Sequence, residues 1–362
     1  MPPDTLVIRV DGGTHIGMGH VMRCLSLVAE LVRRSPMEVR FLMRQFQAGV
    51  RRVEAQGYVV ETIPAEADAP EEVACLRTLL DVRQVEGLIT DLRTLTPGLV
   101  EEAQAHGVVC ATIDEWGNRA ICSDLLVNGT IVPAWHAYTF DGQVRACIGP
   151  RYALVDPQFA EWHRRPRVPH DGPPRLLIAL GGDDPFCLTT KAMRALEPCP
   201  QRLDVTVVIG PAFVNDDEIV RAASASRHRY TVHRNASNMA ELMAHTDVAF
   251  SGGGLTALEL ACTGTPGVIL CEVPHQLETA AVLEQHGAAL NLGFGMAVPD
   301  TQLLQTTCEL LEDEARRRRM SDAGKRLLDG QGCVWVARVI LEAIEARGNR
   351  DEPRAVRVPV RR

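Results

Sequence analysis

The chain of 362 residues is too long for one ordinary hydrophobic core, so two domains are expected. A hydrophobic share of 46% beside 23% charged residues describes a soluble globular protein, and 4% aromatics leaves little material for a surface built on ring stacking. The formal net charge of −8 argues against a nucleic-acid or membrane-surface role for the body of the protein.

The N-terminus, MPPDTLVIRV, has no basic stretch leading into an apolar one, and no apolar run approaches 18 residues, so a cytoplasmic protein without stable membrane insertion is expected. From there short β-rich runs alternate with amphipathic segments. TLVIRVD, VRFLMR, YVVETI, GLITD and VCATID read as strands; SLVAELVRR, QAGVRRVEAQG, EEVACLRTLLDVRQ and LVEEAQAHG carry apolar residues at helical steps. The second half repeats the scheme. RLLIALGG, DVTVVIG, DVAFSGGG and PGVILC read as strands, and LTTKAMRAL, EIVRAASAS, MAELMAH and LTALELACTG as helices.

Such alternation predicts two Rossmann-like α/β domains with parallel sheets and a cleft between them. The expected partition is an N-terminal domain over 1–150 and a proline-rich linker over 151–174. A C-terminal domain over 175–345 and a basic tail over 346–362 complete it. The tail reads as flexible, or as a contact for an acidic partner. The eleven cysteines are scattered without a CxxC pair, which fits reduced, mostly buried thiols rather than a zinc cluster or a disulfide framework.

Ligands of doubly wound sheets bind outside the carboxyl ends of the strands, so the loops there carry the chemistry. The first loop is GTHIGMGHVMRC. Its glycines, Gly12, Gly13, Gly17 and Gly19, allow close backbone approach, yet the dinucleotide fingerprint is only partial because Met22 stands at its third position. His20 falls in the first turn of a helix, where the positive end of the macrodipole disfavours imidazolium and suits a general base. A histidine that only caps or packs is the other reading. His15 has no cysteine or carboxylate cluster to make a metal site. Arg23, three residues on, shares the His20 face and reads as a solvated arginine.

In LLIALGGDDPFCLTTK, Gly181 and Gly182 end a strand, Asp184 stands at an N-cap position and Pro185 at the first helical one, leaving Asp183 for a ligand hydroxyl. In SGGGLTALELACTGTP, Gly252, Gly253 and Gly254 join a strand to a helix, presenting free amides for a phosphate. Glu259, within an otherwise apolar helix, suits the two hydroxyls of a ribose. A tight turn and an exposed helix face are the plainer alternatives.

Taken together, GGGLTALELACTGTP with HQLETAAVLEQHG resembles the donor-binding signature of GT-B proteins similar to the UDP-N-acetylglucosamine transferase of lipid II synthesis. DGGTHIGMGHVMRCLSLVAEL, GPRYALVDPQF and RLLIALGGDDPFCLTTKAM resemble the UDP-2,4-diacetamido-2,4,6-trideoxy-β-L-altropyranose hydrolase of pseudaminic acid synthesis and its spore-coat polysaccharide relatives. The resemblance runs over most of residues 5 to 340.

It implies a GT-B fold that needs no metal or other cofactor, a UDP-linked amino sugar as substrate, and a monomer. The diphosphate would lie near Gly252, Gly253, Gly254, Leu255 and Thr256, the uridine ribose on Glu259, with Gly182 and Asp183 beside them. His20, with Asp91, would activate a water that attacks the anomeric carbon and releases UDP. Gly17, Gly19, Arg23, Arg93, His275 and Gln276 would line the sugar and acceptor side.

Two positions depart from the hydrolase pattern: Arg93 replaces the tyrosine of Asp-x-Tyr, and His275 precedes Gln276 where the family has asparagine. Many GT-B transferases carry that HQ pair. Hydrolysis of a nucleotide-activated amino sugar is therefore expected first, and transfer to a small-molecule or lipid-linked acceptor second. A lipid-linked acceptor calls for an exposed apolar or basic patch on the N-terminal domain, to which QFQAGVRRVEAQG contributes Arg51 and Arg52 but little apolar surface. A non-catalytic sugar-nucleotide binding subunit is the third class.

Overall fold

The computed structural model describes residues 4–13, 16–168, 170–182, 184–210, 213 and 216–351; His15, Asp183 and the tail beyond residue 351 lie outside them. The first half builds strands β1 (Thr5–Val10), β2 (Glu38–Arg44), β3 (Val59–Ile63), β4 (Val85–Asp91) and β5 (Val109–Ile113). Strands β6 (Arg119–Ile121), β7 (Leu125–Asn128), β8 (Tyr138–Phe140) and β9 (Arg145–Ile148) follow. Seven of these form one sheet in the order β3-β2-β1-β4-β5-β7-β9, while β6 pairs with β8 alone.

The second half builds β10 (Arg175–Ala179), β11 (Asp204–Ile209), β12 (Arg229–Arg234), β13 (Val248–Ser251), β14 (Gly267–Cys271) and β15 (Ala289–Phe294). Their order is β12-β11-β10-β13-β14-β15. Every pairing in both sheets is parallel.

The parallel arrangement follows from the composition of the strands. All six residues of β1 are buried, as are all five of β5 and of β14, because helices cover both faces. The first half supplies helices α1 (Gly19–Arg34), α2 (Gln47–Glu54), α3 (Ala69–Val82) and α4 (Pro97–Ala105). On α1, Val21, Cys24, Leu25, Val28 and Leu31 recur at three- and four-residue steps and enter the core beside β1. Helix α3 begins with a full capping box, the Asp68 carboxylate taking the Glu71 amide while the Glu71 carboxylate takes that of Asp68.

The stretch expected to be a linker is fastened to the second sheet layer. Helix α5 (Gln158–Arg164) inserts Phe159 into the core shared with α8 (Met239–Ala244) and α9 (Leu255–Thr263). Arg167 then donates to the Thr246 and Met243 carbonyls and to the Thr265 hydroxyl.

Helices α6 (Leu188–Leu196), α7 (Asp216–Ala225), α10 (Pro274–Gln285), α11 (Asp300–Glu312) and α12 (Glu314–Leu327) complete that layer. The chain then returns: α13 (Gly332–Asp351) places Cys333, Val336, Ala337, Val339 and Ile340 in the first core, against α1. Packing and chain order therefore part company at residue 332, which lies inside the expected C-terminal domain. Among the described residues no helix is long and apolar enough to cross a membrane.

Candidate functional site

Both sheets reverse their winding at one place, between β1 and β4 in the first and between β10 and β13 in the second. Loops leaving the two strands at such a point diverge to opposite faces and leave a crevice. The loop after β1 delivers His20 as the second residue of α1, and β4 ends on Asp91. His20 Nδ1 lies 2.7 Å from Asp91 Oδ1. The same Nδ1 lies 2.9 Å from Arg23 Nη2, so it faces one group that only accepts and one that only donates. With the proton on Nδ1 shared with Asp91, the pair would leave a base at Nε2 and a counter-charge behind it. The argument from the helix dipole alone missed that carboxylate.

Arg23 is not solvated. It is 7% exposed, its Nε donates to Asp91 Oδ2 at 2.6 Å and its Nη2 to Asp91 Oδ1 at 2.5 Å, while Nη1 pairs with Glu115. The helix face it shares with His20 turns toward β4 rather than toward water. Burial opposes ionisation of Asp91, but Arg23 and then His20 outweigh it and hold the carboxyl well below its usual range. Burial likewise works against the Arg23 cation, and Asp91 and Glu115 overcome it.

Glu115 and Trp116, which reading by motif passed over, belong to this cluster. They sit on a turn after β5 that is built around Asp114, itself 2% exposed. Asp114 Oδ2 accepts the amides of Trp116 (3.0 Å) and Gly117 (2.9 Å) and the Tyr138 hydroxyl (2.7 Å), and Arg119 pairs with Oδ1. The available signal was the run IDEWGNR, two acids and a tryptophan at a strand exit ahead of a glycine.

The second domain faces this cluster across the crevice. A Cβ placed on Gly182 would lie 3.5 Å from Met18, so the loop after β10 abuts the loop between Gly17 and Gly19. Of the four first-loop glycines, only Gly17 has a positive φ, at 78°. The His275 ring meets Trp116 edge-on with centroids 5.0 Å apart. Burial lowers the His275 pKa, and Arg93 pushes it the same way. The structure thus gathers His20, Arg23, Asp91 and His275 into one cluster, linked through Glu115 and Trp116, with Arg93 within electrostatic reach.

The residues expected on the nucleotide side form a neighbouring group. The Gln276 carboxamide oxygen accepts the amides of Gly253 (3.2 Å) and Glu272 (2.8 Å), tying the glycine loop to the start of α10. The Gly253 amide is therefore already engaged, contrary to the expectation of three free ones. Gly254 is exposed with nothing within 4 Å of the place of a Cβ, and Leu255 and Thr256 open α9. Amides of a first helical turn have no acceptor within their own helix and suit an anion.

Glu259 lies one turn along α9, apart from the His20 cluster. Its half-buried carboxyl has no hydrogen-bond partner among the described residues, and burial, with Asp156 nearby, pushes it up to about 8. Asp184 does cap α6, but from further back: its carboxylate takes the Leu188 and Thr189 amides, both at 2.7 Å, while Cys187 is the N-cap. The helix consequently starts at Leu188, three residues after Pro185. Arg51 donates to Gln47 on the surface of α2.

Residues 178–330 match the family described as the Glycosyltransferase family 28 C-terminal domain. The chain is 27% identical over 342 residues to the spore coat polysaccharide biosynthesis protein SpsG of Bacillus subtilis, covering 93% of this chain and 98% of that protein. It is 26% identical to the UDP-N-acetylglucosamine–N-acetylmuramyl-(pentapeptide) pyrophosphoryl-undecaprenol N-acetylglucosamine transferase of Salinibacter ruber, covering 92% and 96%. Among solved structures, MurG of Acinetobacter baumannii superposes with a TM-score of 0.68 at 16% identity, over 94% of this chain and all of that one. The fold is GT-B.

Proposed function

We propose that the protein displaces a nucleoside diphosphate, of which UDP is the first choice, from the anomeric carbon of a nucleotide sugar and passes the sugar to a hydroxyl acceptor in polysaccharide synthesis. The His20–Asp91 pair carries the reading: a base with one nitrogen fixed by a buried, ionised carboxylate, at the crevice between two Rossmann-like domains. His20 Nε2 takes the acceptor's proton as its oxygen bonds to the anomeric carbon. The bond from that carbon to the diphosphate oxygen breaks, and the configuration inverts. Asp91 stabilises the imidazolium so formed, and the first-turn amides of α9 meet the charge developing on the leaving diphosphate. The glycosyltransferase relatives, one of them named for UDP-N-acetylglucosamine, support transfer.

Water as the acceptor is the second reading. The resemblance of the first loop, GTHIGMGHVMRC, to the nucleotide-sugar hydrolases supports it.

The test incubates the purified protein with UDP-, GDP- and CMP-sugars, with and without alcohol acceptors. Nucleotide release is expected, falling ~100-fold or more in His20→Ala while nucleotide binding persists. Release without an acceptor assigns hydrolysis; release only with one assigns transfer. Nucleotide binding with no turnover under any condition, in wild type and His20→Ala alike, would sink both in favour of a binding subunit.

A further inference from the structure

Arg93 lies two residues beyond Asp91, where β4 delivers its chain to the crevice. Its carbonyl accepts Arg119 Nη2 at 3.2 Å, which couples this exit to the Asp114 turn that carries Glu115 and Trp116. The other arginines here are neutralised: Arg23 by Asp91 and Glu115, Arg119 by Asp114. Arg93 is exposed, and no carboxylate among the described residues pairs with it. Through Arg119 and Asp114 this exit is joined to the turn whose Trp116 meets His275 at the start of α10, and Arg93 lowers the His275 pKa in the same direction as burial. On that turn stands the half-buried indole of Trp116, edge-on to His275. An unspent guanidinium two residues beyond Asp91, at the exit of the strand that serves the crevice, suits a ligand with an anionic substituent, since the planar fork binds a carboxylate or phosphate through two hydrogen bonds.

We propose that Arg93 is a specificity-determining residue that selects a ligand carrying a carboxylate or phosphate on the sugar side of the crevice, borne either by the transferred sugar or by the acceptor. This deepens the functional reading above and rests on it. A neutral sugar leaves the guanidinium in water and gains nothing from it. An anionic one replaces that water with charge-assisted hydrogen bonds.

The experiment compares wild type with Arg93→Gln, Arg93→Lys and Arg93→Glu. Affinities for UDP, UDP-glucose and UDP-glucuronate are measured by calorimetry, and turnover with each donor is followed using neutral, carboxylated and phosphorylated sugar acceptors. The two donors differ only at C6, so they report on the donor sugar, and the acceptor series reports on the other source. Wild type is expected to favour the anionic member of one series by about 10-fold or more, the scale of one charged hydrogen bond. Arg93→Gln removes that preference, Arg93→Lys keeps part of it, and Arg93→Glu reverses it, while UDP alone binds all four proteins within about 2-fold.

Two results overturn the proposal: indifference of wild type to charge in both series, or loss of UDP affinity itself in Arg93→Gln, which would make Arg93 a diphosphate contact. A wild type that binds no nucleotide overturns the functional reading, and this inference with it.

Discussion

Glu259 is a carboxyl in an apolar helix with no hydrogen-bond or ion-pair partner among the described residues, and burial, with Asp156 nearby, pushes it up to about 8. The folded state therefore holds this proton more tightly than the unfolded chain, whose glutamate titrates near 4.5. The sign follows: this group costs no stability below about 4.5, and the fold loses stability as pH rises from there through 8. Glu259→Gln should raise Tm at pH 8.5 and leave it nearly unchanged at pH 4.5. A ribose diol donating two hydrogen bonds to the ionised carboxylate opposes that cost. Nucleotide binding should then release a proton below pH 8, with affinity falling toward lower pH by at most ~10-fold per unit, the limit for one linked proton. Calorimetry between pH 6 and 9, in buffers of different ionisation heat, checks this. The slope should vanish in Glu259→Gln, and a slope that survives there would remove Glu259 from the nucleotide site.

Two elements meet at the glycine loop, and their roles separate by substitution. A Cβ on Gly253 would lie 2.5 Å from the Gln276 carbonyl oxygen and 2.8 Å from Gln276 Cβ, on the far side of the bond that holds the loop to α10. Gly253→Ala should cost about 1–3 kcal/mol, as overpacking against backbone does, and carry nucleotide affinity down with it. Gly254 has open space at the same place. Gly254→Ala should leave stability within about 0.5 kcal/mol, the usual range for a surface change, and still weaken nucleotide binding, because the methyl occupies room an approaching phosphate needs. Urea unfolding beside UDP titration distinguishes the two; equal UDP affinity in Gly254→Ala and wild type would move the diphosphate elsewhere.

At the scale of the molecule, the two domains are joined by two crossings that touch each other. Gly332, at the head of α13, comes so close to Ala153 that a Cβ there would overlap its carbonyl oxygen at 1.9 Å. Gly330, with φ at 73°, would meet the Ala160 amide nitrogen at 2.8 Å. Neither crossing can take a side chain at these points without moving the other. Since the candidate site is split between domains, with His20 and Asp91 on one and Glu259 and Gln276 on the other, a shift here reaches the chemistry. Gly332→Ala should lower stability by ~1–3 kcal/mol and reduce turnover more than UDP affinity, because the proposed nucleotide contacts lie on one domain and the proposed reaction needs both. Thermal unfolding with steady-state kinetics checks it; kinetics equal to wild type would uncouple the crossing from the site.

What the sequence determined by itself is what short-range pattern encodes. Alternating apolar periods specify parallel strands and covering helices, and glycine at strand exits marks the loops between them. The position of His20 in a helical first turn follows from residues 13 to 24 alone. Tertiary structure decided the partners. Asp91 reaches His20 across 71 residues, because β4 lies next to β1 in the sheet and no local pattern states that order. The same adjacency turned Arg23 inward, and the pairing of β4 with β5 brought Glu115 to it. Domain apposition set Trp116 against His275, and the return of α13 to the first core was settled by which apolar face still lacked cover. Periodicity is a property of neighbours along the chain; charge pairing at a cleft depends on which strands lie side by side, and only the folded sheet supplies that.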